Sequence, residues 1–429
     1  MPEKLIGLLG VASIFGIAFL MSNNKKKLNY RLIGSGFLLQ VLLAVFVLKV
    51  EFGRQLFAAL GDGITALLHC SDKGAEFVFG PLVNKEATDR VFGLGTMIFA
   101  FKVVPTIIFV SSLVSISYYL GIMQRVVQVV ARVVSFIMGA SGAEALSNAA
   151  SVFVGQVEAQ LLIRPYVASM TMSELLASMT GSMACVAGGV LAVYIGMGIK
   201  AQYLLTASIM AAPGGLVISK IVWPETEESK TKGKVQIEVQ KTNANVIDAA
   251  AHGASDGLRI GLNVIAMLLA FIALIHLGDI CVGFVGRGLT TIGMNGGMIG
   301  LDLANLTLKD LFGLFFAPIA WLLGVPWSDA PTVGKLMGEK MAINEFVAYM
   351  DMSNLLKNPQ INHIGPQAET IATFALCGFA NLSSIAMQIG GIGEIAPSRR
   401  ADLARLGVKA LICGTMASYL SAALAGLLT

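Results

Sequence analysis

Charged residues are scarce in this sequence. Only 13% of its 429 residues are Asp, Glu, Lys or Arg, whereas 55% are hydrophobic. Soluble domains carry about a quarter charged residues, so the composition excludes an ordinary soluble domain and predicts a polytopic protein of the lipid bilayer. The formal net charge of +4 is small and dispersed, which argues against nucleic acid as a partner.

Motifs for catalysis, metal binding and nucleotide hydrolysis are also missing. The five cysteines show no CxxC or CxxxH spacing, and the four histidines show no spacing typical of a metal site or a catalytic triad. The phosphate-binding motif GxxxxGK(S/T) is absent, which excludes an ATP-driven pump of that class. We therefore predict that the chain is not an enzyme and has no cofactor, no catalytic residues and no metal site other than one for a coupling ion.

What the sequence does contain is a series of apolar runs long enough to cross a bilayer. They are predicted at 5–21, 32–50, 92–120, 173–198, 203–223, 259–280, 371–389 and 406–427. The lysines at 25–27 and the arginines near 400 fall on one side of this arrangement, which the positive-inside rule assigns to the cytoplasm. Both termini are then predicted to lie outside, with an external amphipathic segment at 51–90 and a cytoplasmic loop at 224–256.

Two further apolar blocks, 144–166 and 331–356, are interrupted by polar residues. We interpret each as a re-entrant hairpin, because irregular backbone is tolerated at membrane depth only where it lines protein or a cavity. Each hairpin follows an interfacial helix (124–138 and 309–323) and precedes a broken helix and a plain one. The sequence thus predicts an all-α integral membrane protein with eight transmembrane helices, two re-entrant hairpins and interfacial helices, arranged as inverted repeats.

Seven polar residues at membrane depth are the candidates for binding a solute. Amides and carboxylates match the donors and acceptors of a polar, uncharged solute such as a nucleobase joined to a sugar. The alternative is that they only hydrogen-bond one helix to another, and Phe379, which is placed to stack on a planar ring, is otherwise an ordinary core residue. The seven are Gln156, Glu158, Asn344, Glu345, Asn381, Ser383 and Ser384.

Several of these blocks resemble the concentrative nucleoside transporters over the chain from about residue 91 to its end. The first-half motifs are VGQVEAQLLIRPY, MTMSELLASMTGSMACVAGGVLAVYIGMG and LLTASIMAAPGG, and the second-half motifs are GVPW, INEFVAYMDM and ALCGFANLSSIAMQIGG. The resemblance implies a bacterial inner-membrane homotrimer with an elevator-like mechanism, in which each protomer binds its own nucleoside.

The resemblance also implies a division into domains. Residues 1–123 and 257–300 would form the scaffold, with the loop 224–256 between its parts. The first inverted repeat (124–223) and the second (301–429) would together form the moving transport domain.

Site residues follow from the resemblance, position by position. Gln156 and Glu158 would face the nucleobase; Glu345, Asn381 and Ser384 would hold the ribose; Phe379 would lie near the base. Further lining positions are Gly155, Val157 and Val190.

The sequence departs from the sodium-coupled members at the coupling-ion site. Those members have Asn at the position of Ser151 and Ser or Thr at that of Cys185, with backbone carbonyls at Val154 and Val186. Because Na⁺ prefers oxygen ligands, a shorter side chain and a thiol both weaken such a site. We therefore favour H⁺ over Na⁺ as the coupling cation, carried by Glu345 or Glu158, since burial favours the neutral form of a carboxyl group.

The predicted function is cation-coupled import of nucleosides such as uridine by alternating access. A symporter of another polar solute, such as a free nucleobase or an amino acid, is the alternative, and a passive channel is a further one.

Overall fold

The computed structural model describes residues 3–92, 98–232, 243–292, 302–357 and 364–429. Within these stretches the regular structure is helical throughout. The middle of the predicted loop 224–256 and the end of the predicted segment 257–300 lie outside the described residues. The helices are α1 (Glu3–Leu20), α2 (Tyr30–Leu48), α3 (Glu51–Phe79), α4 (Lys85–Phe92), α5 (Phe99–Tyr119), α6 (Ile122–Met138), α7 (Gly142–Ser151), α8 (Glu158–Leu161), α9 (Arg164–Val167), α10 (Met172–Ala184), α11 (Gly188–Gly196), α12 (Ala201–Val222), α13 (Val246–Thr291), α14 (Leu308–Leu322), α15 (Ala330–Ala342), α16 (Glu345–Lys357), α17 (Pro366–Leu376), α18 (Leu382–Ile395) and α19 (Arg400–Leu428).

Eight membrane crossings can be assigned to these helices. Among the described residues, six helical stretches are long and apolar enough to cross a bilayer: α2, α5, α10 with α11, α12, α13 and α19. The first helix adds a shorter apolar stretch, Ile6–Leu20. The eighth crossing is the broken pair α17 and α18, whose two halves are each too short to be counted alone.

Both predicted hairpins are present. In hairpin 1, α7 runs in, the chain turns between Ser151 and Glu158, and the single-turn helices α8 and α9 form the second arm. In hairpin 2, α15 and α16 are joined by only two residues, Ile343 and Asn344. The order of interfacial helix, hairpin, broken helix and plain helix occurs twice, which confirms the predicted all-helical, inverted-repeat fold.

Local capping explains where several of these helices begin. Ser141 and Glu144 form a capping box at the start of α7, and Thr171 and Glu174 form one at the start of α10. Each box pairs two backbone N–H groups that the helix leaves without partners. Such pairing is required here because both helix ends are buried.

The two broken helices cross at their breaks. The Phe379 N–H donates to the Cys185 carbonyl at 3.2 Å. Gly378 has φ +132°, and a Cβ there would lie 2.6 Å from the Ala184 carbonyl oxygen, so only glycine allows this approach. The second break spans 377–381, because α17 ends at Leu376 and the Asn381 side chain caps α18.

Helix α13 is much longer than the predicted span 259–280. It begins at Val246, where the Asn245 side chain accepts from the Asp248 N–H at 2.9 Å, so the end of the predicted loop 224–256 is helical. Hydropathy marks only the apolar part of a helix, which is why its polar first turns read as loop. Gly253, Gly257 and Gly261 pack closely on α5, where an added Cβ would meet atoms at 2.6–2.8 Å.

Candidate substrate and ion site

The tip of hairpin 2 joins both broken helices through Glu345. This residue opens α16, and its buried carboxylate accepts two hydrogen bonds. Oε1 accepts from the Tyr194 hydroxyl of α11 at 2.9 Å, and Oε2 accepts from the Asn381 amide at 3.2 Å. The carboxylate is therefore held in one orientation while further lone pairs remain available to a ligand hydroxyl.

The tip of hairpin 1 reaches α18 through Gln156. Its buried side-chain amide donates to the Ser384 hydroxyl at 3.3 Å and contacts the Met387 sulfur at 3.2 Å. Its oxygen accepts from the Gln388 amide at 3.4 Å. An amide presents both donors and acceptors, which is the pattern needed to pair with the edge of a planar heterocycle.

Asn381 and Ser384 connect these two ends of the site. The Asn381 side-chain oxygen caps α18, accepting from the Ser384 N–H at 2.9 Å and from the Ser383 hydroxyl at 2.7 Å. Asn381 then faces Glu345 while Ser384 faces Gln156. The first turn of α18 thus lies between the carboxylate of hairpin 2 and the amide of hairpin 1.

The remaining predicted residues lie around this centre with different contacts. A Cβ at Gly155 would lie 2.1 Å from the Glu158 carboxylate, so the exposed Glu158 side chain folds back over the tip of hairpin 1. Val157 packs against Gly391 of α18. Val190, in the first turn of α11, and Phe379, at the second break, are both half-buried.

Asn344 caps the start of α16. Its side-chain oxygen accepts from the Val347 N–H at 3.0 Å. That bond satisfies a free donor at the start of α16, as helix caps do.

Sequence reasoning missed Tyr194 and Gln388. Gln388 follows Ser384 by four residues and Asn381 by seven, so helical spacing alone would have placed it on the same face of α18. Tyr194 likewise follows Val190 by four residues on α11. Its hydroxyl gave no signal in the sequence, because a tyrosine in an apolar run is usually a core residue.

The predicted coupling-ion residues already have protein partners. The Ser151 hydroxyl donates to the Ser147 carbonyl at 2.8 Å and pairs with the Ser182 hydroxyl at 3.0 Å. The Cys185 thiol lies 3.7 Å from the Ser208 carbonyl, and the Val186 carbonyl accepts from the Ser208 hydroxyl at 3.4 Å. Val154 is buried beside them.

A buried polar cluster centred on Gln160 surrounds Ser151. The Gln160 amide donates to the hydroxyls of Ser182 and Ser147 at 2.7 and 3.0 Å, and its oxygen accepts from Ser178 at 2.6 Å. These bonds join both arms of hairpin 1 to α10. This cluster could not be recognised from the sequence, because its serines stand singly among alanines and methionines.

Three family models match parts of this chain. Residues 203–426 match the family described as the Na+ dependent nucleoside transporter C-terminus, 9–82 match the N-terminus of the same family, and 100–201 match a nucleoside recognition Gate domain.

Relatives match over nearly the whole chain. The nucleoside permease NupC of Helicobacter pylori is 41% identical, over 99% of this chain and 98% of the relative. The sodium/nucleoside cotransporter 2 of Rattus norvegicus is 38% identical, over 100% of this chain and 63% of the relative. A structure of CNTnw in an inward-facing substrate-bound state aligns with a TM-score of 0.91 at 43% identity, over 100% of this chain and 98% of that one.

The fold and the convergent hairpin tips define an elevator-type membrane transporter built from inverted repeats. The chain belongs to the concentrative nucleoside transporter family. Because the family consists of transporters, the prediction that the chain is not an enzyme is confirmed.

Proposed function

We propose that this protein is a cation-coupled nucleoside symporter that imports nucleosides such as uridine by elevator-type alternating access. The proposal rests on one observation: the first turn of α18 contacts two polar groups of different chemistry, one from each hairpin tip. Glu345 and Asn381 form an end with acceptors for sugar hydroxyls, and Gln156 and Ser384 form an end suited to a nucleobase edge. Phe379, Val157 and Val190 would supply the apolar walls.

Calorimetric titration of the purified protein with uridine, uracil, ribose and a neutral amino acid tests the substrate class. We expect uridine to bind more tightly than uracil or ribose by at least about tenfold, since each half alone loses hydrogen bonds worth roughly 1–3 kcal/mol. Equal affinity for uracil and uridine would favour a nucleobase transporter. Binding of the amino acid alone would overturn the assignment.

We propose H⁺ as the coupling cation. The support is that the Ser151 hydroxyl is already engaged by Ser147 and Ser182, while Cys185 offers a thiol to a hard cation. The named mammalian relative is a sodium cotransporter, so the two substitutions mark where this chain would differ from it.

The double variant Ser151→Asn/Cys185→Ser tests the choice of cation. It supplies an amide and a hydroxyl oxygen at the positions where sodium-coupled members have them, so we expect uridine uptake in proteoliposomes to gain stimulation by Na⁺. Ser169→Asn/Cys281→Ser, at two exposed positions, is the control. Strong Na⁺ stimulation of the unmodified protein would contradict proton coupling.

We further propose a homotrimer in a bacterial inner membrane with both termini outside. The trimer and the bacterial inner membrane rest on the resemblance to the concentrative nucleoside transporters. The lysines at 25–27 and Arg400 support the orientation through the positive-inside rule. The division into scaffold (1–123, 257–300) and transport domain (124–223, 301–429) is part of the same proposal.

A further inference from the structure

Lys340 of hairpin 2 is a fully buried lysine. It lies in the last turn of α15, and its side chain reaches the break of the second broken helix. The ammonium donates to the Ala375 carbonyl at 2.8 Å and lies 6.0 Å from the centre of the Tyr419 ring. Moving such a charge out of water is costly, so its position calls for a compensating interaction.

Two other buried or half-buried lysines of the repeats have carboxylate partners. Lys220 pairs with Glu144 at 2.6 Å, and Lys309 pairs with Glu339 at 2.7 Å. Among the described residues Lys340 makes no such ion pair. Its compensation must come instead from backbone dipoles, the face of Tyr419 and charges farther away.

The end of helix α17 supplies those dipoles. The last four carbonyls of a helix lack partners within it and carry its partial negative charge. Hairpin 2 satisfies two of them, because the Tyr349 hydroxyl donates to the Thr373 carbonyl at 2.7 Å and Lys340 donates to the Ala375 carbonyl. Lys340 also lies at the negative end of α15 itself.

The ribose end of the site lies within electrostatic reach of Lys340. Lys340 lies in the last turn of α15 and Glu345 in the first turn of α16, so only the tip of hairpin 2 separates the two residues. The hydrogen-bond partners of that carboxylate, Tyr194 and Asn381, are neutral groups. Lys340 therefore supplies positive charge for a carboxylate whose direct contacts carry none.

The inverted repeat also relates the position of Lys340 to a position in the first repeat. In the first repeat, Ser151 of the last turn of α7 bonds to Ser182 in the last turn of α10, at the predicted coupling-ion site. In the second repeat, Lys340 of the last turn of α15 bonds to Ala375 in the last turn of α17. By the order of elements, Lys340 thus lies in the second repeat where Ser151 lies in the first.

We propose that Lys340 is a tethered cation with two effects. Its ammonium fixes hairpin 2 on the broken helix formed by α17 and α18, and it balances the charge of Glu345. The Glu345 carboxylate is thereby oriented toward the sugar hydroxyls. The inference rests on the proposed nucleoside function. Lys340 is a positioning residue, because it acts on the substrate through Glu345 and does not contact the substrate itself.

Chemical rescue of two matched variants tests the proposal. Lys340→Ala leaves a cavity large enough for a small cation, whereas Lys340→Met fills the same space without a charge. The binding of uridine and of 2′,3′-dideoxyuridine is measured by calorimetry, with methylammonium chloride or choline chloride added at equal concentration. Lys357→Ala, at an exposed lysine of α16, is the control, and melting temperatures are recorded for all proteins.

We expect both variants to lose uridine affinity by roughly 10–100-fold and to lose the preference for uridine over the dideoxy compound, since hydrogen bonds to a charged group are worth about 1.5–3 kcal/mol. Methylammonium should restore both properties in Lys340→Ala and leave Lys340→Met unchanged, and choline should restore neither.

Unaltered uridine binding in both variants would overturn the proposal. So would a loss that accompanies a fall in melting temperature and does not respond to methylammonium, because that result assigns Lys340 a purely structural role. Failure of the unmodified protein to bind uridine would refute the proposed function, which separates the two conclusions.

Discussion

Replacing Glu345 with alanine is expected to lower uridine uptake at subsaturating substrate by about 100-fold or more. The substitution removes the acceptors for the sugar and leaves the Tyr194 hydroxyl and the Asn381 amide buried without their partner. Hydrogen bonds to a charged group contribute about 1.5–3 kcal/mol, and 1.4 kcal/mol corresponds to a factor of ten. Initial rates of labelled uridine uptake into proteoliposomes measure the effect.

Two further variants make this result specific. Glu394→Ala removes an exposed carboxylate from α18 and should leave uptake unchanged. Glu345→Gln keeps the shape and one acceptor, so its rate should lie between those of Glu345→Ala and the unmodified protein. Uptake by Glu345→Ala within twofold of the unmodified protein would remove Glu345 from the site.

Replacing Lys220 with methionine is expected to cause the largest loss of stability. Lys220 is buried at the end of α12 and binds Glu144 at 2.6 Å, the Ser173 hydroxyl at 2.9 Å and Glu225 at 3.4 Å. Removing one partner of a buried ion pair leaves the other charge uncompensated, at a cost of about 3–5 kcal/mol. Thermal unfolding in detergent, followed by intrinsic fluorescence, should show a markedly lower melting temperature.

The paired substitution separates charge burial from packing. Lys220→Met/Glu144→Gln removes both charges, so its melting temperature should be higher than that of Lys220→Met alone. Lys230→Met, at an exposed lysine nearby, should have the same melting temperature as the unmodified protein. If Lys220→Met had the same melting temperature as Lys230→Met, the ion pair would not stabilise the base of hairpin 1.

Part of this architecture can be predicted from sequence because lipid imposes simple rules. Gln156 and Glu345 stood out, since polar groups in apolar surroundings must face a cavity or each other. The sequence order of hairpins and broken helices was also readable, because polar interruptions mark where a helix cannot continue through lipid.

Other features depend on contacts between segments far apart in sequence. Gly378 needs its conformation only because the other broken helix passes at Ala184. The sequence does not distinguish Lys340 from other lysines, and only the fold brings its ammonium to the Ala375 carbonyl. The role of Tyr194 becomes visible only in the fold, where its hydroxyl donates to Glu345.

Accumulation of labelled uridine in proteoliposomes tests the central claim most directly. The purified protein is given an inward proton gradient, an inward sodium gradient or no gradient. We expect uridine to accumulate above its external concentration under the proton gradient alone. Accumulation driven only by sodium would contradict proton coupling, and failure to accumulate uridine under either gradient would contradict nucleoside symport itself.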